Sequence, residues 1–392
     1  MNLNYITYQT FPAPTANSLQ TISHVKHFAR RGIDVSLIFP LREDSSSTNL
    51  NEIQSFYEFD EKIQIEGLSH KLPFGKISIG VKFAYLFSHL AWSYLTVKKV
   101  LKNKKGENFL TRSDWIFYFL SKRGERVVFE CHQVTRLRKY LVRKSMSNPK
   151  SSLICLTSYI LEDLNLNLNE DSKRISVLPS AYDEDYYLNH VKGARDKVKL
   201  IFAGNLNRFG EERGLGILIE IFKRREVKDR FEVDIVGGPD NLVKKLKDKL
   251  VANNLIGSFR VHGYQNRSNT LKLIQDADIG LMVYDNSNIN DKNFYHLKYY
   301  TSPLKYFEYL GASLQIVAND FPSHRELPVQ EVISYFDSDS IDSLITSIES
   351  AAKKVQKKYY PDVKEFSMEK RVSKIIDFFQ LARPEGLEPP TL

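Results

Sequence analysis

The feature that most constrains this chain is an alternation, kept up over most of its length, between short β-branched runs and segments with helical spacing. Parallel strands need a crossover of a dozen or more residues between them, so this pattern predicts α/β architecture with parallel sheets. A first series reads strands at Leu3–Tyr8, Ile33–Phe39, Arg126–Glu130, Leu153–Thr157 and Arg174–Leu178. Its helices run from Asn17 to about Arg31 and near 81–101, 135–146 and 158–166, with the Ser- and Asn-rich Asp44–Asn51 as a loop. A second series follows the polar stretch His190–Lys197, with strands at Lys199–Ala203, Phe231–Val236, Phe259–His262, Ile279–Tyr284 and Leu314–Ala318. Helices near 214–225, 239–253, 268–276, 302–312 and 341–356 separate them. The expectation is two doubly wound, Rossmann-like domains, 1–190 and 191–360, each large enough for its own core. A closing helix, with Phe366, Val372, Ile375, Ile376 and Phe379 on one face, lies within 361–383, and 384–392 is expected to be a disordered tail. Ligands of such sheets gather outside the carboxyl ends of strands, so two halves are expected to face each other across a cleft.

Composition matters for what it excludes. At 42% hydrophobic and 26% charged residues the chain is neither disordered nor fibrous. Two cysteines, Cys131 and Cys155, are too few for a disulfide framework and fit a reducing cytoplasm. The start, MNLNYITYQTF, lacks the features of a secretory signal, and no long uncharged apolar run predicts a spanning helix. The net charge of +9 is uneven: residues 71–150 hold 18 Lys and Arg against four Asp and Glu. Such a block favours phosphate esters, anionic lipid headgroups or nucleic acid. No nucleic-acid recognition module is evident, so nucleic acid is not an expected partner. Val81–Lys105 mixes aromatic residues with a basic end; it reads as a core-packed helix with a solvated end, or as a contact with an anionic membrane surface. The basic residues Arg136, Arg138, Lys139, Arg143 and Lys144 extend that surface, giving an expected location in the cytoplasm, peripheral at the inner face of the membrane.

The most informative stretch for chemistry is Ser302-Pro-Leu-Lys-Tyr-Phe-Glu-Tyr-Leu-Gly311. Ser302 suits an N-cap and Pro303 a first helical turn, so the amides that follow form an anion site with Lys305 as a mobile cation beside it. Glu308, a turn further on, can accept hydrogen bonds from vicinal hydroxyls such as those of a ribose. Local features leave a merely capped helix with a solvated glutamate equally open.

The segment SPLKYFEYLGASLQIVAND closely resembles the donor-binding segment of GT-B glycosyltransferases, in particular glycosyltransferase family 4. IFAGNLNRFGEERGLGILIEIF, VDIVGGP, VHGY, ADIGLMVY and FPSHREL follow the family's order, and LICLTSYILEDL and FSMEKRVSKIIDFF resemble the domain end and closing helix. The resemblance implies two Rossmann-like domains with the last helix crossing back to the first. It implies transfer of a sugar from a nucleoside-diphosphate sugar to a hydroxyl acceptor, such as a cell-surface polysaccharide or lipid-linked glycan precursor. Retention of configuration, no metal and no resident cofactor go with it.

Residue by residue, the resemblance implies that Glu308 binds ribose and that Ser302, Leu304 and Lys305 meet donor phosphates and ribose. Gly204 and Asn205 open the glycine loop, where Asn205 stands in place of the usual arginine. Arg213-Gly214 matches a Lys-Gly pair, making Arg213 the leading diphosphate clamp, with Arg208 a weaker one. Tyr300 occupies the position of a second glutamate that touches the donor sugar. His132, at the end of VVFECHQV, resembles a histidine beside the reacting sugar, and its neutral imidazole can hydrogen-bond a sugar hydroxyl. Asn17 and Ser18 match an Ala-Asn-Ser version of the acceptor or phosphate loop; on local grounds either is a helix N-cap. Asp183-Glu-Asp185 reads as a solvated turn rather than a metal site, and Gly214-Leu-Gly216 lacks the third glycine of a dinucleotide fingerprint. A sugar-nucleotide epimerase and a non-catalytic scaffold of a polysaccharide assembly complex are the competing functions.

Overall fold

The computed structural model describes residues 1–70, 81–166, 173–187, 195–208, 211–212, 215–284 and 291–381. The chain divides into two compact units, Met1–Leu178 with Met368–Leu392, and Pro179–Ser367.

The first unit is built on seven strands: β1 (Asn2–Ile6), β2 (Asp34–Leu41), β3 (Gln64–Ser69), β4 (Asn108–Thr111), β5 (Arg126–Cys131), β6 (Ser151–Cys155) and β7 (Ile175–Val177). Their order is β3-β2-β1-β4-β5-β6-β7 and every pairing is parallel. The central strands are covered on both faces, which is why they read as nearly unbroken apolar runs. Chain direction across the sheet reverses between β1 and β4, the point where ligands collect in such folds. The closing helix, Met368–Leu381, belongs to this unit and packs on the helix Ala16–Arg30 and on β5.

The second unit carries β8 (Val198–Ala203), a two-residue antiparallel pair of β9 (Asn207–Arg208) and β10 (Glu211–Glu212), then β11 (Phe231–Val236), β12 (Phe259–Gly263), β13 (Ile279–Met282), β14 (Gln315–Asn319) and β15 (Ile333–Phe336). The parallel order β12-β11-β8-β13-β14-β15 puts the reversal between β8 and β13. Two cores fill its faces, one around Phe202, Phe222 and Ile235, the other around Tyr306, Phe307 and Ile316.

Several expected boundaries move. The first unit ends at Leu178 rather than near 190, because Ser180 and Tyr182 hydrogen-bond to Ser302 and Phe366 inside the second unit. Lys364–Phe366 is a separate 3-10 turn, and the closing helix starts only at Met368. Five strands (β3, β4, β9, β10 and β15) and the helices Leu50–Tyr57, Asp114–Ser121, Asp291–Tyr299 and Pro322–Arg325 have no counterpart in the expected pattern. The helix expected near 214–225 is the shorter Gly216–Phe222, followed by Arg225–Arg230. The proposed tail 384–392 lies outside the described residues.

Candidate functional site

In the second unit the helix Leu304–Gly311 lies against β13 and β14 and against the helix Arg267–Asp276. Its residues from Lys305 to Leu310 are all buried, the two charged ones included. Lys305 and Glu308 are three apart, so they share one face. The Lys305 ammonium sits 3.9 Å from the centre of the Phe202 ring and 5.8 Å from that of Tyr284. Phe202 is near the end of β8 and Tyr284 just beyond β13, so this cation marks the reversal point of the sheet at its carboxyl edge. The expected mobile lysine is therefore a fixed one, held by burial and aromatic faces.

Glu308 is likewise not a solvated acid, being 6% exposed and ion-paired with Arg267 through Oε1. Among the described residues Oε2 has no hydrogen-bond partner, which leaves an acceptor oxygen beside a guanidinium. Arg267 went unrecognised in the sequence, where it is an ordinary residue opening a helix capped by Asn266.

Ser302 does not cap the helix. Its hydroxyl accepts the Ser180 amide (2.9 Å) and its carbonyl accepts the Ser180 hydroxyl (3.1 Å), so it anchors the chain entering the unit. The N-cap residue is Pro303, no side chain caps the helix start, and Leu304 is the first helical residue. The first turn thus keeps the anion-attracting character of an uncapped helix.

The glycine loop after β8 is shaped by close backbone approach. Gly237 has φ +136°, and a Cβ there would lie 2.0 Å from the carbonyl oxygen of Gly204, itself at φ +145°. Only glycine fits this contact. Asn205 is exposed and folds back to accept the Asn207 amide (2.8 Å), as turn asparagines do. Arg213 and Gly214 lie outside the described residues, as does the Arg208 side chain. Tyr300 is buried against Tyr295 and His296 (ring centres 5.5 and 5.7 Å), so the place of the family's second glutamate is aromatic packing here. Asp183 is buried, not solvated, and precedes the 3-10 turn Glu184–Tyr186.

The first unit gathers a second group of residues at the reversal of its own sheet. Thr111 on β4 is in register with Phe129 on β5, so Arg112 stands level with Glu130; His132, two residues on, projects to the same side. Arg112 donates to His132 Nδ1 (2.7 Å) and to Asn17 Oδ1 (3.0 Å). A guanidinium can only donate, so Nδ1 is unprotonated and the Nε2 proton goes to Glu130 Oε1. Burial, reinforced by Arg112, pushes His132 down to about 4 from its ordinary 6.5. The imidazole is neutral, as expected, but both nitrogens are committed within the protein and neither is left for a sugar hydroxyl.

Glu130 is 1% exposed, with Arg371 Nη2 at 2.9 Å and Arg112 Nε at 3.5 Å. Burial opposes its charge, yet Arg371 and Arg112 hold it well below the usual carboxylate range. Arg371, from the closing helix, also donates to the buried His24 Nε2. Asn17 is exposed and bonded to Arg112, while Ser18 is buried against Thr15, which is the true N-cap of its helix. Arg112 and Arg371 were missed: β4 is too short to signal a strand end at Arg112, and Arg371 reads as part of a polar helix face. Cys131 and Cys155 are free and buried side by side on β5 and β6, and burial raises both thiols, Cys131 to about 11.

No protein-family model matches the chain, nor does any curated protein sequence. Solved structures do. A glycosyltransferase from Rickettsia africae aligns with TM-score 0.67 at 12% identity over 97% of this chain and 98% of that one. HepE from Anabaena in complex with UDP aligns with TM-score 0.58 at 12% identity over 97% of both chains. Sucrose-phosphate synthase from Thermosynechococcus elongatus gives TM-score 0.65 at 10% identity over 97% and 96%. With its two parallel sheets, each doubly wound, the chain takes the GT-B fold that these glycosyltransferases share.

Proposed function

We propose that the protein is a glycosyltransferase that moves a sugar from a nucleoside-diphosphate sugar to a hydroxyl acceptor. The observation carrying this reading is the set on one helix of the second unit: an uncapped start, Lys305 fixed at the sheet's reversal point, and Glu308 with one carboxylate oxygen facing no protein donor among the described residues. Diphosphate suits the amides and the lysine; a ribose diol suits the glutamate. Likeness of fold to HepE, solved with UDP and with UDP-glucose, supports the same donor class.

In this reading Gly204 and Asn205 line the nucleotide, Arg213 and Lys305 neutralise the leaving diphosphate, and Asn17 and Ser18 lie on the acceptor-binding unit. The reaction retains configuration and uses neither metal nor resident cofactor, the leaving diphosphate taking the acceptor's proton. The acceptor is a cell-surface polysaccharide or lipid-linked glycan precursor. His132 acts as a positioning residue that fixes Arg112 and Glu130. A second reading, a non-catalytic scaffold, draws on Tyr300 and on the committed nitrogens of His132.

The test is calorimetric titration of nucleoside diphosphate sugars into wild type and Glu308→Gln, followed by product analysis with acceptor. A hydrogen bond to a charged group is worth about 1.5–3 kcal/mol, so donor affinity should fall about tenfold or more. Unchanged affinity defeats the site assignment. Donor binding without turnover favours the scaffold, and product from donor alone an epimerase.

A further inference from the structure

On the first unit the helix Val81–Val100 turns an apolar strip to solvent. Phe87 is 63% exposed, Leu95 59% and Leu86 49%, far beyond isolated surface hydrophobes. Phe87, Tyr94, Leu95 and Lys98 recur at helical spacing, and the strip runs directly into exposed Lys98, Lys99 and Lys102. Beside it the helix Asp114–Ser121 brings Phe119 against Tyr94 (ring centres 5.4 Å), and Arg123 caps that pair 5.7 Å from the Tyr94 ring. An apolar ridge rimmed by aromatic rings and cations is the pattern of a surface that lies in the headgroup region of a bilayer.

Not all of the basic block is available. Arg138 is held by Asp114 (3.1 Å), Lys139 by Asn165 (2.7 Å) and Lys104 by Glu66, so the midsection of the expected basic patch is spent on internal bonds. Lys98, Lys99 and Lys102 stay exposed at the end of the strip, while the exposed Arg136, Arg143 and Lys144 lie on the helix Arg136–Ser145. We infer that the Phe87–Lys102 face docks the protein on an anionic lipid surface, with Leu86, Phe87 and Leu95 entering the interface and Lys98, Lys99 and Lys102 meeting the headgroups. Charge favours lipid over a second copy of the chain: the helix Val81–Val100 carries lysines and no acid, so an isologous contact would supply these cations with no opposite charge. Among the described residues no helix is long and apolar enough to cross a membrane, so the contact is peripheral. The inference is independent of the transfer reaction.

The experiment is co-sedimentation with phosphatidylcholine vesicles, alone and with about 30 mol% phosphatidylglycerol. Wild type should pellet with the anionic vesicles and stay soluble with the neutral ones. Each lysine near such a surface contributes about a fivefold factor, so Lys98→Ala/Lys99→Ala/Lys102→Ala should weaken partitioning by about a hundredfold. Phe87→Ser/Leu95→Ser should weaken it by at least about tenfold. Both variants alter exposed side chains and should keep the wild-type melting temperature and donor affinity, which separates failure here from failure of the transferase reading. Equal pelleting with neutral vesicles, unchanged partitioning of either variant, or strip-dependent self-association without vesicle binding overturns the inference.

Discussion

Replacing Arg371 with methionine removes the nearest full charge from Glu130 while keeping the volume that packs the closing helix. Glu130 is 1% exposed and the Arg371 side chain 2%, with 2.9 Å between them, so water screens neither charge. Breaking a buried pair by deleting one partner costs about 3–5 kcal/mol, because the remaining charge stays buried. Here Arg112 and the His132 proton still face the carboxylate, so we expect the low end, about 3 kcal/mol. His24 also loses the donor to its Nε2, which keeps the cost from falling further. Because two units need not unfold together, a single global transition is a poor readout. Hydrogen exchange of the Met368–Leu381 amides is the better one, and their protection should drop by about two orders of magnitude. Adding Glu130→Gln to Arg371→Met should restore most of the loss, since it removes the stranded charge. A single variant within about 1 kcal/mol of wild type, or a double variant less stable than either single, would refute the reasoning.

Acidification should destabilise the first unit well above the range where carboxylates titrate. Burial pushes both His132 and His89 down to about 4, so between pH 6.5 and that value the unfolded chain binds protons that the folded one refuses, and stability falls as pH drops. Glu130 stays ionised through that window and does not offset the effect. A denaturation midpoint flat between about pH 7 and about pH 5 contradicts this. In the second unit Gly280→Ala should cost about 2–3 kcal/mol, because its Cβ would lie 2.2 Å from the ring of Tyr309, whose hydroxyl is tied to the Ala203 amide. An unchanged melting temperature counts against that packing.

What the sequence made legible follows from segment length and contrast. Strands such as β5 and β11, with six residues and β-branched cores, are visible by pattern alone. β4 (NFLT) and β15 (ISYF) have four residues each, too short for any period to register. The helix DWIFYFLS is apolar on nearly every side, because it lies between two neighbouring helices, and so offers no 3.6-residue signal. The candidate donor helix was legible because the Ser302-Pro303 pair, Lys305 and Glu308 fall within ten positions, although Ser302 does not cap it. The partners of those charges were not. Arg267 is 41 residues from Glu308, and Arg371 is 241 from Glu130, separations that only the sheet order closes.

The first unit is discontinuous: its sheet is complete by Leu178, yet the arginine that neutralises its buried acid arrives after the whole of Pro179–Ser367. On the ribosome the contiguous second unit has everything it needs before the first does. The nascent sheet must wait with Glu130 lacking its closest cation and the surface awaiting the closing helix uncovered. A chain arrested before Arg371 therefore presents an unfinished first unit however well the second has folded.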